Sequence, residues 1–230
     1  KNTLMHIFEN NKFKKELLKQ LKRKNVKFIN YAVKNIDHTS NRIKIHKKYY
    51  NYDLIILCLG NNSRLYNNII KNRSIYKDYK EIAITGLIKH KEKILNPSQF
   101  FLNEGPLAIL PFNKNNFSFV WSLKKNFFNK NSNNMDILVK NKIEDLFNKK
   151  NKFKISKIQA FPIQLNLNTK YYKNNILILG EGLHSVHPIA GQGFNLTIRD
   201  IYKIYQLIKN TINLGLPIKN SFILKAFSSV

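Results

Sequence analysis

The sequence predicts a mixed α/β fold in which a mostly antiparallel sheet is inserted between two segments that carry buried strands. Two short apolar runs, "YDLIILCLG" and "NNILILG", each end in glycine. Between them, apolar and polar residues alternate, as in strands with one buried face. Runs that are apolar on both faces suit strands covered on both sides, whereas alternation is typical of antiparallel sheets. We therefore expect residues 1–75 and 166–230 to form one domain and residues 76–165 to form a second.

The first segment is predicted to form a helix followed by a small strand meander. The apolar residues of the helix recur at helical spacing, with lysines on the other face; they are Phe13, Leu17, Leu18 and Leu21. Residues 26–36 and 42–46 are predicted as strands separated by the turn-like "DHTSN". The run that ends at Gly60 is predicted as a strand buried on both faces.

The middle segment is predicted to contain an antiparallel hairpin, two further strands and a helix. "LAILPF" and the alternating "FSFVWSL" flank the polar turn "NKNN", which indicates a hairpin. A third strand contains Ile82, Ile84 and Ile88, and "IQAFPIQL" at 158–165 indicates a fourth. Asp136 is predicted to cap a helix whose apolar residues are Ile137, Leu138, Ile143, Leu146 and Phe147.

The last segment is predicted to contain a short buried strand ending at Gly180, a loop, and a long amphipathic helix. The helix begins after "AGQG" and is ended by Gly215 and Pro217. Its apolar face, at spacings of three and four residues, comprises Phe194, Ile198, Ile201, Tyr205, Ile208 and Ile212.

The charge balance is strongly basic, with 40 Lys+Arg against 13 Asp+Glu and a net charge of +27. Arginine, the side chain that nucleic-acid readout favours, occurs only at Arg23, Arg42, Arg64, Arg73 and Arg199. The lysines are spread along the whole chain among asparagine, isoleucine and tyrosine, a mixture that an AT-rich coding sequence produces. We therefore expect no nucleic-acid partner, and a weak attraction to acidic lipid surfaces as a by-product. A basic nucleic-acid binder is the disfavoured alternative.

The sequence also predicts a cytoplasmic location. Its single cysteine, Cys58, excludes an internal disulfide, and no charged-then-apolar leader is present. The longest apolar run is of strand length, short of the roughly 18 residues that a membrane-spanning helix needs.

The stretch "GEGLHSVHPIAGQGFNLTIRD" concentrates histidines and glycines. Glu181, His184 and His187 lie three residues apart and could bind a metal if they were helical. Pro188 and the nearby glycines disfavour a helix there, so histidines bonded by the loop backbone are the simpler interpretation. The glycines instead place a helix start after Gly193, where free amides favour an anion or a partial negative charge. No Gly-Lys-Ser/Thr follows, so this is not a P-loop.

The whole stretch resembles the flavin-binding signature of the class A FAD-dependent aromatic monooxygenases, most closely the ubiquinone-biosynthesis hydroxylases. Two further blocks, "YDLIILCLGNNSRL" and "FFLNEGPLAILPFNKNNFSFVWSL", are similar to other motifs of that family and occur in family order. The resemblance covers essentially the whole chain. It implies an FAD-binding Rossmann-like domain of the aromatic-hydroxylase type with an inserted, mostly antiparallel substrate domain.

The resemblance implies FAD as cofactor, NAD(P)H or another electron donor, and molecular oxygen. The implied reaction is hydroxylation of the aromatic ring of a polyprenylated phenol in ubiquinone biosynthesis. The implied cofactor-binding residues are Gly60, Gly180, Glu181, Pro188, Gly191, Gln192, Gly193, Phe194 and Asn195. No metal is implied, and no residue is singled out as catalytic. The implied partners are the substrate and other ubiquinone-biosynthesis proteins, with peripheral attachment to the inner membrane.

Several side chains keep two interpretations. The residues that could form the substrate wall, or simply the sheet core, are Phe119, Trp121, Phe161 and Pro162. His184 and His187 are expected to shape the loop, with a general-acid role as the alternative. Arg199 and Asp200 are expected to form a surface or interlobe ion pair, in preference to contacting the cofactor.

This sequence departs from the family pattern at two motifs. Glu181 stands where the family has an aspartate that binds the ribityl hydroxyls, and Leu59 replaces the aspartate of the Asp-Gly motif. Tyr66 or a neighbour occupies the position of that motif's final arginine. The family's Gly-x-Gly-x-x-Gly segment, which cradles the adenosine diphosphate, is not found, so we expect a domain that is incomplete at its N-terminus. The alternative function is a truncated or degenerate, non-catalytic relative that acts as an assembly partner or has no function.

Overall fold

The computed structural model describes residues 6–37, 39–60, 63–66, 74–91, 96–150, 152–187, 191–219 and 221–229. The chain divides into two compact units. Unit 1 comprises Lys1–Phe28 and Lys80–Ile163, and unit 2 comprises Ile29–Tyr79 and Gln164–Val230. Residues 1–28 therefore group with unit 1, apart from the rest of the segment 1–75. The assignment of cofactor and substrate roles to domains stays a prediction.

The helices, in chain order, are α1 (Asn10–Arg23), α2 (Lys125–Asn131), α3 (Met135–Phe147), α4 (Gln192–Asn213) and α5 (Ser221–Ser228). None of these described helices is both long enough and apolar enough to cross a membrane. The strands are β1 (Ile36–Asp37), β2 (Arg42–Ile45), β3 (Lys48–Asn51), β4 (Ile55–Leu57), β5 (Ser74–His90), β6 (Ser98–Leu102), β7 (Gly105–Asn113), β8 (Asn116–Lys124), β9 (Phe153–Ile155), β10 (Gln159–Asn168), β11 (Tyr172–Lys173), β12 (Ile176–Ile178) and β13 (His184–Ser185).

Unit 1 is built on the predicted antiparallel sheet, in the order β10-β5-β8-β7-β6, with β9 also paired to β5. The hairpin β7–β8 is confirmed, and β8 pairs with β5 from Glu81 opposite Lys124 to Lys89 opposite Asn116. The alternate residues of β8 face one core, because successive side chains of a strand point to opposite faces. That core contains Phe117, Phe119, Trp121, Val139 and Ile143.

Helix α3 confirms the predicted helix but corrects its cap. The helix begins at Met135 with Asn134 as its N-cap, and Asp136 lies in the first turn. A carboxylate there stabilises the helix through the macrodipole, without capping it by a hydrogen bond. The preceding helix α2 was not predicted.

Unit 2 contains a three-stranded sheet in the order β11-β12-β4, in which β12 runs parallel to β4. All three residues of β12 are buried, as predicted. In β4, Ile55 and Leu57 are buried but Ile56 is 41% exposed, so the prediction of burial on both faces is wrong for this strand among the described residues. An apolar run thus predicts a strand, whereas its burial depends on which neighbours cover each face.

The predicted strand at 26–36 is reduced to β1. Only Ile36 and Asp37 pair with β2, opposite Ile43 and Arg42. Val26 and Phe28 are exposed, and without pairing the apolar pattern alone does not make a strand. Strand β2 is confirmed, and it pairs with β3 as well.

Helix α4 has the predicted apolar stripe, yet it buries only one margin of it. Of the predicted residues, Ile208 packs against the core of unit 2, beside the buried Ile204 and beside Leu207, neither of which was among the predicted ones. The other predicted members of the face are exposed: Phe194, Ile198, Ile201, Tyr205 and Ile212. The helix and its apolar face are confirmed, and the part of α4 that packs on the core is centred on Ile204, at the margin of the predicted face. The helix ends before Gly215, which has a φ of 69°, as predicted.

Candidate functional site

The candidate site of unit 2 lies where the parallel strands β4 and β12 end. Parallel strands bring their carboxyl ends to one edge of a sheet, which is the usual place for ligands in open α/β sheets. The amide of Leu179 donates to the carbonyl of Leu57 at 3.0 Å, which holds the two strand ends together. Beyond them lie Gly60 and Gly180, with φ of 72° and 75°. Such positive φ values favour glycine, and they turn both chains at this edge.

Glu181 places a carboxylate at the same edge. It lies in a single 3-10 turn, Gly180–Gly182, that directly follows β12, and its side chain is exposed. Its Oε2 atom is 3.9 Å from the point that a Cβ on Gly60 would occupy. The carboxylate therefore faces the end of β4, where it can accept hydrogen bonds from the hydroxyls of a ligand.

Tyr66 joins the two strand ends from the inside. Its ring is only 6% exposed, and its Oη atom accepts a hydrogen bond from the Leu59 amide at 2.9 Å. A Cβ on Gly182 would lie 2.2 Å from that Oη, so glycine at 182 makes room for the ring. Burial raises the pKa of Tyr66, against the opposing effect of the Leu59 hydrogen bond, so the phenol stays neutral at physiological pH.

Asn168 holds the 3-10 turn from strand β10. Its Nδ2 donates to the Gly182 carbonyl at 2.5 Å. Its backbone amide donates to the Leu183 carbonyl at 2.9 Å, and the Leu183 amide returns to Gly180 at 2.8 Å. The turn that carries Glu181 is therefore fixed on both sides.

His184 forms an ion pair with Asp200 of α4. The distance between His184 Nε2 and Asp200 Oδ2 is 2.6 Å, and this hydrogen bond is the main cause of a raised pKa of His184. His187 packs edge-on against Tyr79, with ring centroids 5.5 Å apart. This geometry supports loop-shaping histidines. No cluster of three metal-ligating side chains occurs within the described ranges.

The glycine-rich loop leads into the start of α4. Gly191 is the N-cap residue, with a φ of 66°, and as a glycine it makes no side-chain cap hydrogen bond. Gln192, Phe194 and Asn195 are exposed there. A Cβ on Gly180 would lie 3.6 Å from Thr197 Cγ2, so the first turns of α4 adjoin the strand edge. The predicted residue Pro188 lies outside the described residues.

The predicted substrate-wall residues of unit 1 separate into two groups. Phe119 and Trp121 are fully buried in the core, and the Trp121 indole donates to the Gly105 carbonyl at 3.1 Å. A wall residue must present surface to its ligand, so the sheet-core interpretation is the correct one for these two. Phe161 and Pro162 are exposed on β10, and their wall role stays a prediction.

A family model described as an FAD binding domain matches residues 73–213, which is more than half of the chain. The chain belongs to this family. The match includes the 3-10 turn, the glycine loop and all of α4. FAD is therefore the cofactor that the strand edge of this FAD-binding-domain protein has to fit.

Curated relatives agree with this membership. The chain is 26% identical to "Ubiquinone biosynthesis monooxygenase COQ6, mitochondrial" of Schizosaccharomyces pombe, over 65% of this chain and 40% of that protein. It is 32% identical to the "3-demethoxyubiquinol 3-hydroxylase" of Escherichia coli, over 24% of this chain and 14% of that protein. The chain thus spans well under half the length of the curated relatives that it matches.

Solved structures show the same fold at low identity. The myxobacterial chondrochloren halogenase CndH, an FAD-dependent halogenase, has a TM-score of 0.73 at 14% identity, covering 97% of this chain and 56% of that one. The tetrameric form of 2-methyl-3-hydroxypyridine-5-carboxylic acid oxygenase has a TM-score of 0.71 at 14% identity, covering 94% and 60%. The mixed α/β fold predicted from the sequence is confirmed.

The strand edge fits FAD. The cofactor needs a hydrogen-bond acceptor for its ribityl hydroxyls, which the Glu181 carboxylate supplies beside Gly60. It also needs backbone that a flat ring can approach, and Gly191 at the start of α4, which has no side chain, leaves such backbone accessible. These predicted cofactor residues stay predictions as individual contacts.

The sequence did not reveal the roles of three residues that shape the site. They are Tyr66, Asn168 and Asp200, which is the partner of His184. Their contacts span 7, 14 and 16 residues and join different elements or turns, so helical or strand periodicity does not indicate them. The one available signal was Gly182, since a second glycine two residues after Gly180 indicates that another group approaches closely.

Proposed function

We propose that this chain is part of an FAD-dependent monooxygenase that hydroxylates the aromatic ring of a polyprenylated phenol in ubiquinone biosynthesis. The observation that carries the proposal is the Glu181 carboxylate beside Gly60, at the carboxyl ends of two parallel strands next to the glycine-led start of α4. The names of the ubiquinone-biosynthesis relatives support the reaction class.

The cofactor-binding residues have separate tasks in this proposal. Glu181 would bind the ribityl hydroxyls, and the backbone of Gly191, Gln192 and Gly193 would line the flavin ring. Pro188, Phe194 and Asn195 are the further residues that the family resemblance assigns to the cofactor. The amides at the start of α4 stabilise negative charge on the ring edge that they face. When bound, FAD supplies the redox chemistry with electrons from NAD(P)H or another donor and with molecular oxygen.

The substrate in this proposal carries a long apolar tail and a phenolic head. Phe161 and Pro162 offer exposed apolar surface on β10, which suits such a ligand. A lipid-tailed substrate also favours attachment of the protein to a membrane surface, where the lysine excess contributes attraction.

The second candidate function is that of a non-catalytic relative. Leu59 favours it, because leucine brings no carboxylate to the end of β4 where the family motif has aspartate. Such a protein would keep the fold while failing to turn over substrate. It would serve as an assembly partner of other ubiquinone-biosynthesis proteins, or have no function.

Purification of the protein from the full-length reading frame tests the proposal. We expect a yellow protein with a flavin absorption spectrum and FAD in equimolar amount with the chain. We also expect NAD(P)H-dependent or donor-dependent oxygen uptake that increases with a prenylated phenol.

A colourless protein that takes up no FAD would contradict the proposed function. A yellow protein that hydroxylates no phenol would support the non-catalytic alternative. An intact Gly-x-Gly-x-x-Gly in the coding sequence upstream of Lys1 would exclude biological truncation.

A further inference from the structure

Three positions at which the sequence departs from the family pattern meet at one place in unit 2. Leu59 and Tyr66 lie seven residues apart in one motif, whereas Glu181 is distant from both along the chain. In the structure, the Leu59 amide donates a hydrogen bond to Tyr66 Oη at 2.9 Å. The Glu181 carboxylate faces Gly60, the residue after Leu59. The negative charge of Glu181 also acts on Tyr66 and helps to raise its pKa. The departures are therefore physically connected.

Tyr66 is held more tightly than a surface tyrosine. Its ring is buried in the core of unit 2 with Leu57, Leu179 and Leu183, which flank the two strand ends. Its hydroxyl satisfies the Leu59 amide, which would otherwise lack this acceptor. Gly182 has no side chain that would displace the ring. Tyr66 thus contacts the end of β4 and the turn after β12 at the same time.

The length of Glu181 matters in this arrangement. With Leu59 at the end of β4, Glu181 is the carboxylate that the described chain brings to this edge. A glutamate extends one methylene beyond an aspartate, and its Oε2 comes within 3.9 Å of the Cβ position of Gly60. The Glu181 side chain, which begins after β12, can therefore bring its carboxylate next to the end of β4.

We propose that Tyr66 is a positioning residue that holds the ends of β4 and β12 together. In this arrangement the Glu181 carboxylate binds the polyhydroxyl chain of the flavin nucleotide and also takes the place of the carboxylate that Leu59 does not supply. This inference rests on the proposed function, since the ligand is FAD. Tyr66 does not touch the ligand in this scheme. It acts by fixing Leu59 and Gly182, the residues beside Gly60 and Glu181.

The test uses the full-length protein stripped of FAD, with dissociation constants measured by quenching of flavin fluorescence. Tyr66→Phe keeps the ring but leaves the Leu59 amide without its acceptor, so we expect about tenfold weaker FAD binding. Tyr52→Phe is the matched control: Tyr52 is a half-buried tyrosine of the same unit that packs on the same core. We expect its FAD affinity to equal that of the wild type.

A double-mutant cycle separates positioning from general destabilisation. Glu181→Gln should weaken FAD binding by about tenfold to a hundredfold, because a charge-assisted hydrogen bond is lost. If Tyr66 acts through Glu181, the double variant Tyr66→Phe/Glu181→Gln binds FAD within about twofold of Glu181→Gln alone. A loss equal to the product of the two single losses would overturn the proposal.

Glu181→Asp tests the reach of the carboxylate without endangering the fold, because Glu181 is exposed. We expect at least about fivefold weaker FAD binding, since the shortened carboxylate withdraws from Gly60. Wild-type affinity in Glu181→Asp, or in Tyr66→Phe, would overturn this inference while leaving the proposed function intact. A wild-type protein that binds no FAD would overturn both.

Discussion

At the scale of single residues, the His184–Asp200 pair links the loop after β12 to helix α4. Both side chains are largely buried, at 12% and 23% exposure, and 2.6 Å separates their bonded atoms. The hydrogen bond to Asp200 raises the pKa of His184 above its ordinary value of 6.5. The charged pair is therefore more stable in the folded protein than its separated groups in the unfolded chain.

Asp200→Asn is expected to lower the free energy of unfolding by about 1.5–3 kcal/mol at acidic pH, as for hydrogen bonds between charged groups. The stabilisation from the pair is fully present below the ordinary pKa of 6.5 and is lost as pH rises through the raised pKa. The difference between variant and wild type should therefore shrink at alkaline pH. Urea unfolding across the pH range measures it.

His6→Gln serves as the control for this titration, because His6 is exposed. It should leave the pH profile unchanged. A difference between Asp200→Asn and wild type that stays constant across the whole pH range would contradict the ion-pair interpretation.

At the scale of the secondary-structure elements, α3 offers a direct test of how a helix covers the sheet of unit 1. Ile143 is fully buried in that core, whereas Ile137 of the same helix is 55% exposed. Ile143→Ala should destabilise the protein by about 2–5 kcal/mol, because it removes buried methyl groups and leaves a cavity. Ile137→Ala should cost less than about 0.5 kcal/mol.

Thermal unfolding of the two alanine variants measures the difference. Equal shifts of the unfolding midpoint would contradict the orientation of α3. The sequence placed both isoleucines on the helix, but helical periodicity alone did not say which of them faces the core.

The same limit explains which elements could be predicted. The hairpin β7–β8 was predictable because alternation and a polar turn are local signals. The exposed face of α4 was not, since the spacing of Phe194 and Ile198 reports that a face is apolar and not what covers it. Strand β1 is shorter than predicted because pairing with a neighbour decides strand length.

The candidate site shows this contrast most clearly. Gly180, Glu181 and a helix start after Gly193 were predictable, since they lie close together in one motif, and α4 begins two residues earlier than predicted, at Gln192. The contact between the Tyr66 ring and Gly182 was not predictable, because the fold alone brings those positions together. Contacts between distant segments depend on how the strands pair and in which register, and a single sequence does not determine this.

At the scale of the whole molecule, the net charge of +27 is the dominant property. The lysines are distributed along the chain, so the resulting attraction to an anionic surface should depend on total charge more than on one patch. Such an attraction is weak and is screened within about 8 Å at physiological salt.

Vesicle cosedimentation tests this expectation. The protein should bind vesicles containing phosphatidylglycerol at low salt, bind neutral phosphatidylcholine vesicles far less, and dissociate as salt rises. Lys15→Glu/Lys19→Glu in α1 and Lys209→Glu/Lys225→Glu in unit 2 change the net charge equally. They should weaken binding to a similar extent, and a loss confined to the α1 pair would instead identify a local membrane-binding helix.

Cys58 lies at the end of β4, one residue before Leu59, and it is the single cysteine of the chain. The residue is exposed, although partial burial raises the pKa of the thiol, so a thiol-reactive fluorophore can be attached there at alkaline pH without any mutation. These 230 residues thus carry their own attachment point for a spectroscopic reporter beside Gly60 and Glu181. The fluorescence of that dye, which depends on the polarity around it, would report the binding and dissociation of a ligand in real time.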